Sequence, residues 1–307
     1  MAMSSAEAPA EPGQLDRSAV FERQRERLFG LAYRMLGSTA DAEDLVQEAY
    51  LRWHASEAAA IRTPEAWLLT VVGRLAIDRV RRTATERAAY VGSWLPEPLA
   101  PGGTVTPEDE LGLKSDVSIA FLTLLQRLGA DERAAFLLRE VFDCEYAEIA
   151  RALEKTEAAC RQLVHRAHER VRADRARARH VPGSQLKLLP RFLAALRAGD
   201  ESALLSMLAS DAVMLSDGGG KVAAAQKPIA GGARVAHVLA KIEQKLGAEF
   251  RHELTLLNRE PAVLTFKRDA LLFATCIQSD DAEILAIYRV LNPEKLQRLQ
   301  KSEAFQG

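Results

Sequence analysis

The segment DERAAFLLREVFDCEYAEIARALEKTEAACRQLVHRAHERVRADRARAR (Asp131–Arg179) reads as a helix-turn-helix whose second helix runs on into an arginine-rich end. Asp131 to Asp143 is one amphipathic segment, and Tyr146–Leu153 (YAEIARAL) is a short helix that opens the unit. Thr156 stands where it can cap the free amides of the next helix. From Arg161 to Arg179 seven arginines oppose Glu169 and Asp174, a local excess of five positive charges. A basic run alone reads as a solvated helix face. Here it is coupled to a short helix and a tight turn, which let a following helix enter a DNA major groove with its first residues nearest the base edges. A phosphate backbone suits such an excess.

A chain of 307 residues has room for two or three domains, each with its own core. Residues 1–182 carry 25 basic and 28 acidic side chains and residues 183–307 carry 16 and 14, so nucleic-acid binding must come from patches. Cys144, Cys160 and Cys276 lie in apolar patterns without metal-ligand spacing, which argues against a disulfide framework or a metal site and fits a reducing cytoplasm. No motif calls for a cofactor. The N-terminus lacks a charged-then-apolar signal, and no run approaches the length needed to cross a bilayer. Residues 1–16, rich in Ala, Glu and Pro, read as disordered.

Residues 17–83 form a first helical domain. Val20–Leu36 is helical and stops at Gly37, and Ser38 or Thr39 then caps a second helix. Leu45, Ala49 and Trp53 share one face of that helix, while Asp41, Asp44 and Glu48 line the other. Such a stripe is a solvated face or a partner surface, and periodicity favours neither. Thr63-Pro64-Glu65 starts a third helix, which closes with Arg74, Asp78, Arg79, Arg81 and Arg82. That end is either a second DNA contact or the ordinary preference of arginine for helix C-termini. Residues 84–112 read as a linker containing WLPEP (Trp94–Pro98), whose prolines hold Trp94 and Leu95 in an extended shape. These two residues either meet a docking groove or cover their own domain. After Glu108 a helix of about twenty residues leads into the second helical domain, residues 113–180.

Past Val181-Pro182-Gly183 arginine thins out and strands appear. Leu186–Arg197 and Glu201–Leu208 read as helices. Ala212–Ser216 and Val222–Gln226 flank Asp217-Gly218-Gly219-Gly220-Lys221 as a hairpin, whose three glycines exceed what a two-residue turn needs. A helix over Ala233–Leu246 precedes β-rich stretches at 250–257, 262–267, 270–278 and 284–290. Helices on a curved antiparallel sheet make residues 183–291 an α+β domain with a pocket in its mouth. Residues 292–307 form a tail in which Asn292-Pro293 caps a last short helix.

DAEDLVQEAYLRWH (Asp41–His54), PEAWLLTVVGRLAIDRVRR (Pro64–Arg82) and YAEIARALEKTEAACRQLVHRA (Tyr146–Ala167) resemble the two domains of extracytoplasmic-function (ECF) sigma factors of bacterial RNA polymerase. The chain from about Pro182 resembles SnoaL-like domains of the nuclear-transport-factor cone fold. WLPEP, DGGGK and NPEKL (Asn292–Leu296), in that order, resemble the signature of the ECF subgroup with such an extension.

The resemblance implies two all-α sigma domains, the second a helix-turn-helix, followed by the α+β cone. It places Asp41, Asp44 and Glu48 against core polymerase, and Arg74, Asp78, Arg81 and Arg82 at the minus-ten promoter element. Arg161, Gln162, His165 and Arg166 would face the minus-thirty-five element, where arginine and glutamine grip guanine and adenine edges. It also implies that Trp94, Leu95, Pro96, Asp217, Gly218, Gly219, Gly220, Lys221, Asn292 and Pro293 link the extension to the sigma domains and regulate them in cis. The competing reading is enzymatic or ligand-sensing, with a small molecule in the SnoaL-like pocket. For that reading His237 and Asp211 lack a partner acid or base and read as structural.

Overall fold

The computed structural model describes residues 16–57, 61–100, 116–178, 185–247 and 249–301. The expectations for residues 1–15, for a helix beginning near Glu108, for Arg179 and for the tail past Lys301 fall outside them.

Helix α1 (Arg17–Leu36) begins on Asp16, whose carboxylate accepts hydrogen bonds from the amides of Ser18 and Ala19. It stops at Gly37, which takes a left-handed φ of 66° and donates its N–H to Tyr33 O. Ser38 caps α2 (Thr39–Ala55), and Pro64 opens α3 (Pro64–Ala88). The third helix continues past Arg82, where the sequence predicts the linker to begin. Its last turn is tied down by Arg87, which donates to Leu36 O.

The helix expected after Glu108 is, within the described residues, only α4 (Ile119–Leu125). Ser118 accepts the amide of Phe121 at 3.0 Å, so the helix starts there. Next come α5 (Ala130–Glu140), α6 (Tyr146–Leu153) and α7 (Glu157–Ala178), with Thr156 Oγ1 accepting the Ala159 amide as the sequence implies. The two helical regions are not separate bodies. Buried residues from Val20 to Val171 form one hydrophobic cluster, because α3 lies against both α5 and α6.

The C-terminal part is α+β, with α8 (Gln185–Ala198), α9 (Glu201–Leu205) and α10 (Gly232–Leu246) on one face of a six-stranded sheet. Its strands are β1 (Leu208–Asp217), β2 (Ile229–Ala230), β3 (Phe250–Leu257), β4 (Glu260–Lys267), β5 (Ala270–Ser279) and β6 (Ile284–Val290), in the order β2-β1-β6-β5-β4-β3. All neighbours pair antiparallel except β1 and β6.

The expected hairpin through Val222–Gln226 does not form. β1 starts earlier, at Leu208, and pairs with β6 and with two residues of β2. Gly219 and Gly220, with φ of 60° and 71°, turn the chain into a loop pressed on the linker instead of a returning strand. The sheet's other face is covered by Leu95, Ile119 and two leucines, Leu296 and Leu299, of α11 (Pro293–Lys301). The linker therefore threads between the sheet and the helical regions.

All three cysteines are buried. Burial pushes the Cys144 thiol up to about 11 and raises those of Cys160 and Cys276. Because the thiolate is the reactive form, the native chain is expected to leave a thiol reagent unreacted near pH 7.5, and the unfolded chain to consume three equivalents. Titration with Ellman's reagent, with and without denaturant, checks this.

Candidate nucleic-acid interface and interdomain hub

Helix α7 buries Cys160, Leu163, Val164, Ala167 and Val171 against the helical core. The opposite face leaves Arg161, Gln162, His165 and Arg166 exposed. Arg161 pairs with Glu157 at 2.8 Å and lies over the Tyr146 ring, while Arg166 and Arg170 approach Glu132 at 3.4 and 2.5 Å. His165 sits 3.6 Å from Glu169. Exposed pairs of this kind hold little energy, so phosphates or base edges can displace them.

The basic end of α3 is less free. Arg74 donates to the carbonyls of Ala152 at 3.2 Å and Arg151 at 2.5 Å, the C-terminal turn of α6. Arg81 pairs with Asp131 at 2.6 Å, and Lys155 joins the same carboxylate at 3.2 Å. Asp78 and Arg82 are exposed. On α2, Asp44 is exposed, Glu48 pairs with Arg52 at 2.6 Å, and Asp41 is bound by Arg79 of α3. Beside this stripe Glu43 accepts hydrogen bonds from Nη1 and Nη2 of Arg298, from α11, at 2.6 Å each, which holds its carboxyl below the usual range.

The three short motifs meet at Asp217. Its side chain is wholly buried and accepts four hydrogen bonds: Tyr90 Oη (2.6 Å) and the Gly219 amide (3.1 Å) on one oxygen, the Leu95 amide (2.8 Å) and Lys295 Nζ (2.7 Å) on the other. Its backbone carbonyl accepts the amides of Leu291 and Asn292. Asn292 caps α11 by accepting the Glu294 amide and donates to Tyr90 Oη, with Pro293 at the first helical position. Lys221 pairs with Glu294.

Trp94 does not reach outward to a groove. Its ring lies between the Arg87 guanidinium at 4.2 Å and the Lys295 ammonium at 3.9 Å, and it packs on Gly37, where a Cβ would meet it at 2.6 Å. Leu95, Pro96, Glu97 and Pro98 are buried. Burying Leu95 contributes about 1.5–3 kcal/mol. The loop glycines are required by close approach: a Cβ on Gly218 would sit 2.5 Å from Val222 O, one on Gly219 2.4 Å from Asn292 Nδ2, and one on Gly220 3.3 Å from Val91.

Several members of this network carry no sequence signal of their own. Lys295 lies inside NPEKL, with no pattern that marks it as buried. Asn258, at a left-handed φ of 53°, donates to Tyr33 Oη and Val117 O and accepts the Leu99 amide. Tyr33 in turn donates to Glu97 O, and Glu97 accepts the Thr39 amide. His237 and Asp211 are exposed, the first paired with Glu201 at 3.1 Å. Among the described residues no group of three His, Cys, Asp or Glu is placed to hold a metal ion, and no helix is long and apolar enough to cross a membrane.

Comparison with known proteins agrees with this architecture. The family model of Sigma-70 region 2 matches residues 20–86, and that of Sigma-70 region 4 matches residues 118–171. The chain is 36% identical over 287 residues to the ECF RNA polymerase sigma factor SigJ of Mycobacterium tuberculosis, covering 90% of this chain and 91% of that protein. It is 30% identical to the probable ECF RNA polymerase sigma factor SigI of the same species, covering 92% and 95%. The crystal structure of M. tuberculosis SigJ superposes with a TM-score of 0.71 at 31% identity, over 91% of this chain and 98% of that one. Regions 2 and 4 together define a sigma-70-type factor, a DNA-binding protein of transcription initiation. Within that class the chain belongs to the ECF RNA polymerase sigma factors, which direct core polymerase to specific promoters.

Burial lowers the Lys295 ammonium to about 8 from its ordinary 10.5, against the opposing pull of Asp217. Between those values the unfolded chain holds the extra proton, so the cost of burying this charge is full below about pH 8 and relieved above it. Asp217→Asn strands that charge and is expected to cost about 3–5 kcal/mol at pH 7 and less at higher pH. Denaturant titration at pH 7 and near pH 9.5 measures both.

Proposed function

We propose that this sigma factor rests in a closed arrangement held by its own C-terminal α+β domain, and that release of that domain frees it for polymerase and promoter. In this reading Asp41, Asp44 and Glu48 meet core polymerase in the cytoplasm. Arg74, Asp78, Arg81 and Arg82 meet the minus-ten element, and Arg161, Gln162, His165 and Arg166 read the minus-thirty-five element. The C-terminal domain acts as a regulator without chemistry of its own. His237 and Asp211 are exposed, and both ring nitrogens of the buried His252 are engaged, by Thr265 and Glu243.

The observation that carries this reading is the pair of hydrogen bonds from Arg74 to the end of α6. Promoter elements about 25 base pairs apart are separated by about 85 Å of B-form duplex. A unit in which α3 touches α6 cannot serve both at once. Support for the domain's part comes from the linker: Trp94 and Leu95 are held by Asp217 and Lys295, Pro96 is buried next to them, and Gly218, Gly219, Gly220, Lys221, Asn292 and Pro293 shape the clasp. Arg298 meanwhile occupies Glu43 beside the polymerase-facing stripe.

Spin labels at Thr85 and Glu169, both exposed, are expected to move apart by several tens of ångströms when the full chain binds core polymerase and promoter. An unchanged separation refutes the closed-state reading. In run-off transcription Arg161→Ala and Arg166→Ala are expected to weaken promoter binding by about 1–3 kcal/mol for each base-edge interaction removed. Unaltered output from a cognate promoter would refute the groove assignment.

A further inference from the structure

The inner face of the sheet carries a row of polar side chains that form no hydrogen bond or ion pair among the described residues. Ser216 on β1, Arg289 on β6 and Thr275 on β5 are direct neighbours in register. They are 5%, 5% and 4% exposed. Met214, Ile287 and Ile277, each two residues along the same strands, belong to the core beneath α8 and α10, so the two-residue period turns the row toward the helices. Among the described residues neither the Arg289 guanidinium nor the two hydroxyls forms a hydrogen bond or ion pair. Their polar atoms are also not among those sealed off from water without a partner.

Arg289 stacks on Phe273 at 4.2 Å, which fixes the plane of its guanidinium. Glu243 attracts it only at a distance, being held by His252 Nε2 at 2.8 Å. Burial pushes the guanidinium pKa down to about 10, and Glu243 opposes that shift only in part. Such a charge costs several kcal/mol, and an anion that joins it offsets the cost.

We propose that this row anchors an internal binding site for a small organic carboxylate, chelated by Arg289, hydrogen-bonded by Ser216 and Thr275, with its apolar body against Met214, Ile277 and Phe273. The planar fork of a guanidinium matches the two oxygens of a carboxylate. One guanidinium balances one negative charge. A phosphate dianion would bring a second that the row does not neutralise. Ser216 directly precedes Asp217, with the two side chains on opposite faces of β1, so an anion on one face acts on the strand end that holds the linker on the other. That coupling rests on the cis-regulatory reading, for which it names the chemical class of the signal. The binding itself does not.

Calorimetry on the full chain with benzoate and butyrate, and with benzamide as the neutral control, tests the site. Saturable binding of a carboxylate is expected, with none for benzamide. Arg289→Met is expected to lower affinity tenfold or more. Ser216→Ala and Thr275→Val, which keep the buried cation, are each expected to lower it several-fold and serve if Arg289→Met does not fold. The site is overturned if neither carboxylate binds below about 10 mM, if benzamide binds as well as benzoate, or if Ser216→Ala and Thr275→Val both retain full affinity. Adding benzoate to the Thr85–Glu169 distance measurement reads the coupling separately. Binding without a change in that distance overturns the coupling alone.

Discussion

The carboxylate of Asp217 has no access to water, and everything around it follows from that. A buried anion is tolerated only when its lone pairs are filled, and here four donors fill them from four parts of the chain: Tyr90 after α3, Leu95 in the linker, Gly219 in the loop and Lys295 in the last helix. Each donor is also fixed by something else. Tyr90 takes a second bond from Asn292, and Lys295 is flanked by the Tyr90 and Trp94 rings. Detaching any one element therefore leaves an ion or a hydroxyl unsatisfied inside the protein, which makes linker, loop and tail cooperative.

The contacts at the periphery are of another kind. Arg298 with Glu43, Arg81 with Asp131 and Arg166 with Glu132 are exposed on at least one side, and such pairs hold about 0–1 kcal/mol each. They set orientation without locking it. The proposed closed state thus combines one small, costly-to-break cluster and a shared apolar core with a rim of replaceable charge. In the proposed reading that rim is what polymerase and promoter, both dense in charge, would compete for. A ligand in the cone would act from the opposite face of the strand that carries the cluster.

Much of the helical part was legible in the sequence because its signals are local. Gly37 ends α1, Pro64 opens α3, Thr156 caps α7, and the exposed row from Arg161 to Arg166 follows from helical spacing alone. Strands β3 to β6 stand where alternation or apolar runs mark them, whereas the apolar run Val222–Gln226 forms none. The departures come where distant residues override local preference. The Asp-Gly that signals a hairpin is drawn into the linker's hydrogen bonds, so β1 pairs along its length with β6, in parallel, and with only two residues of β2. The helix expected after Glu108 is described only from Ile119, where Ser118 supplies a cap.

By itself, then, the sequence determined most of the helices, the strands from β3 to β6 and which faces are apolar, since three- and four-residue spacing, alternation and caps are properties of neighbouring residues. Only the tertiary structure decided that α3 packs on α6, that Trp94 is clasped instead of presented, and that Asn258 reaches Tyr33 across 225 residues of chain. The same holds for the row of Ser216, Arg289 and Thr275, which exists only in the register of three strands. Buried polar groups find partners by proximity in space, and no pattern along the chain encodes which distant donor will arrive.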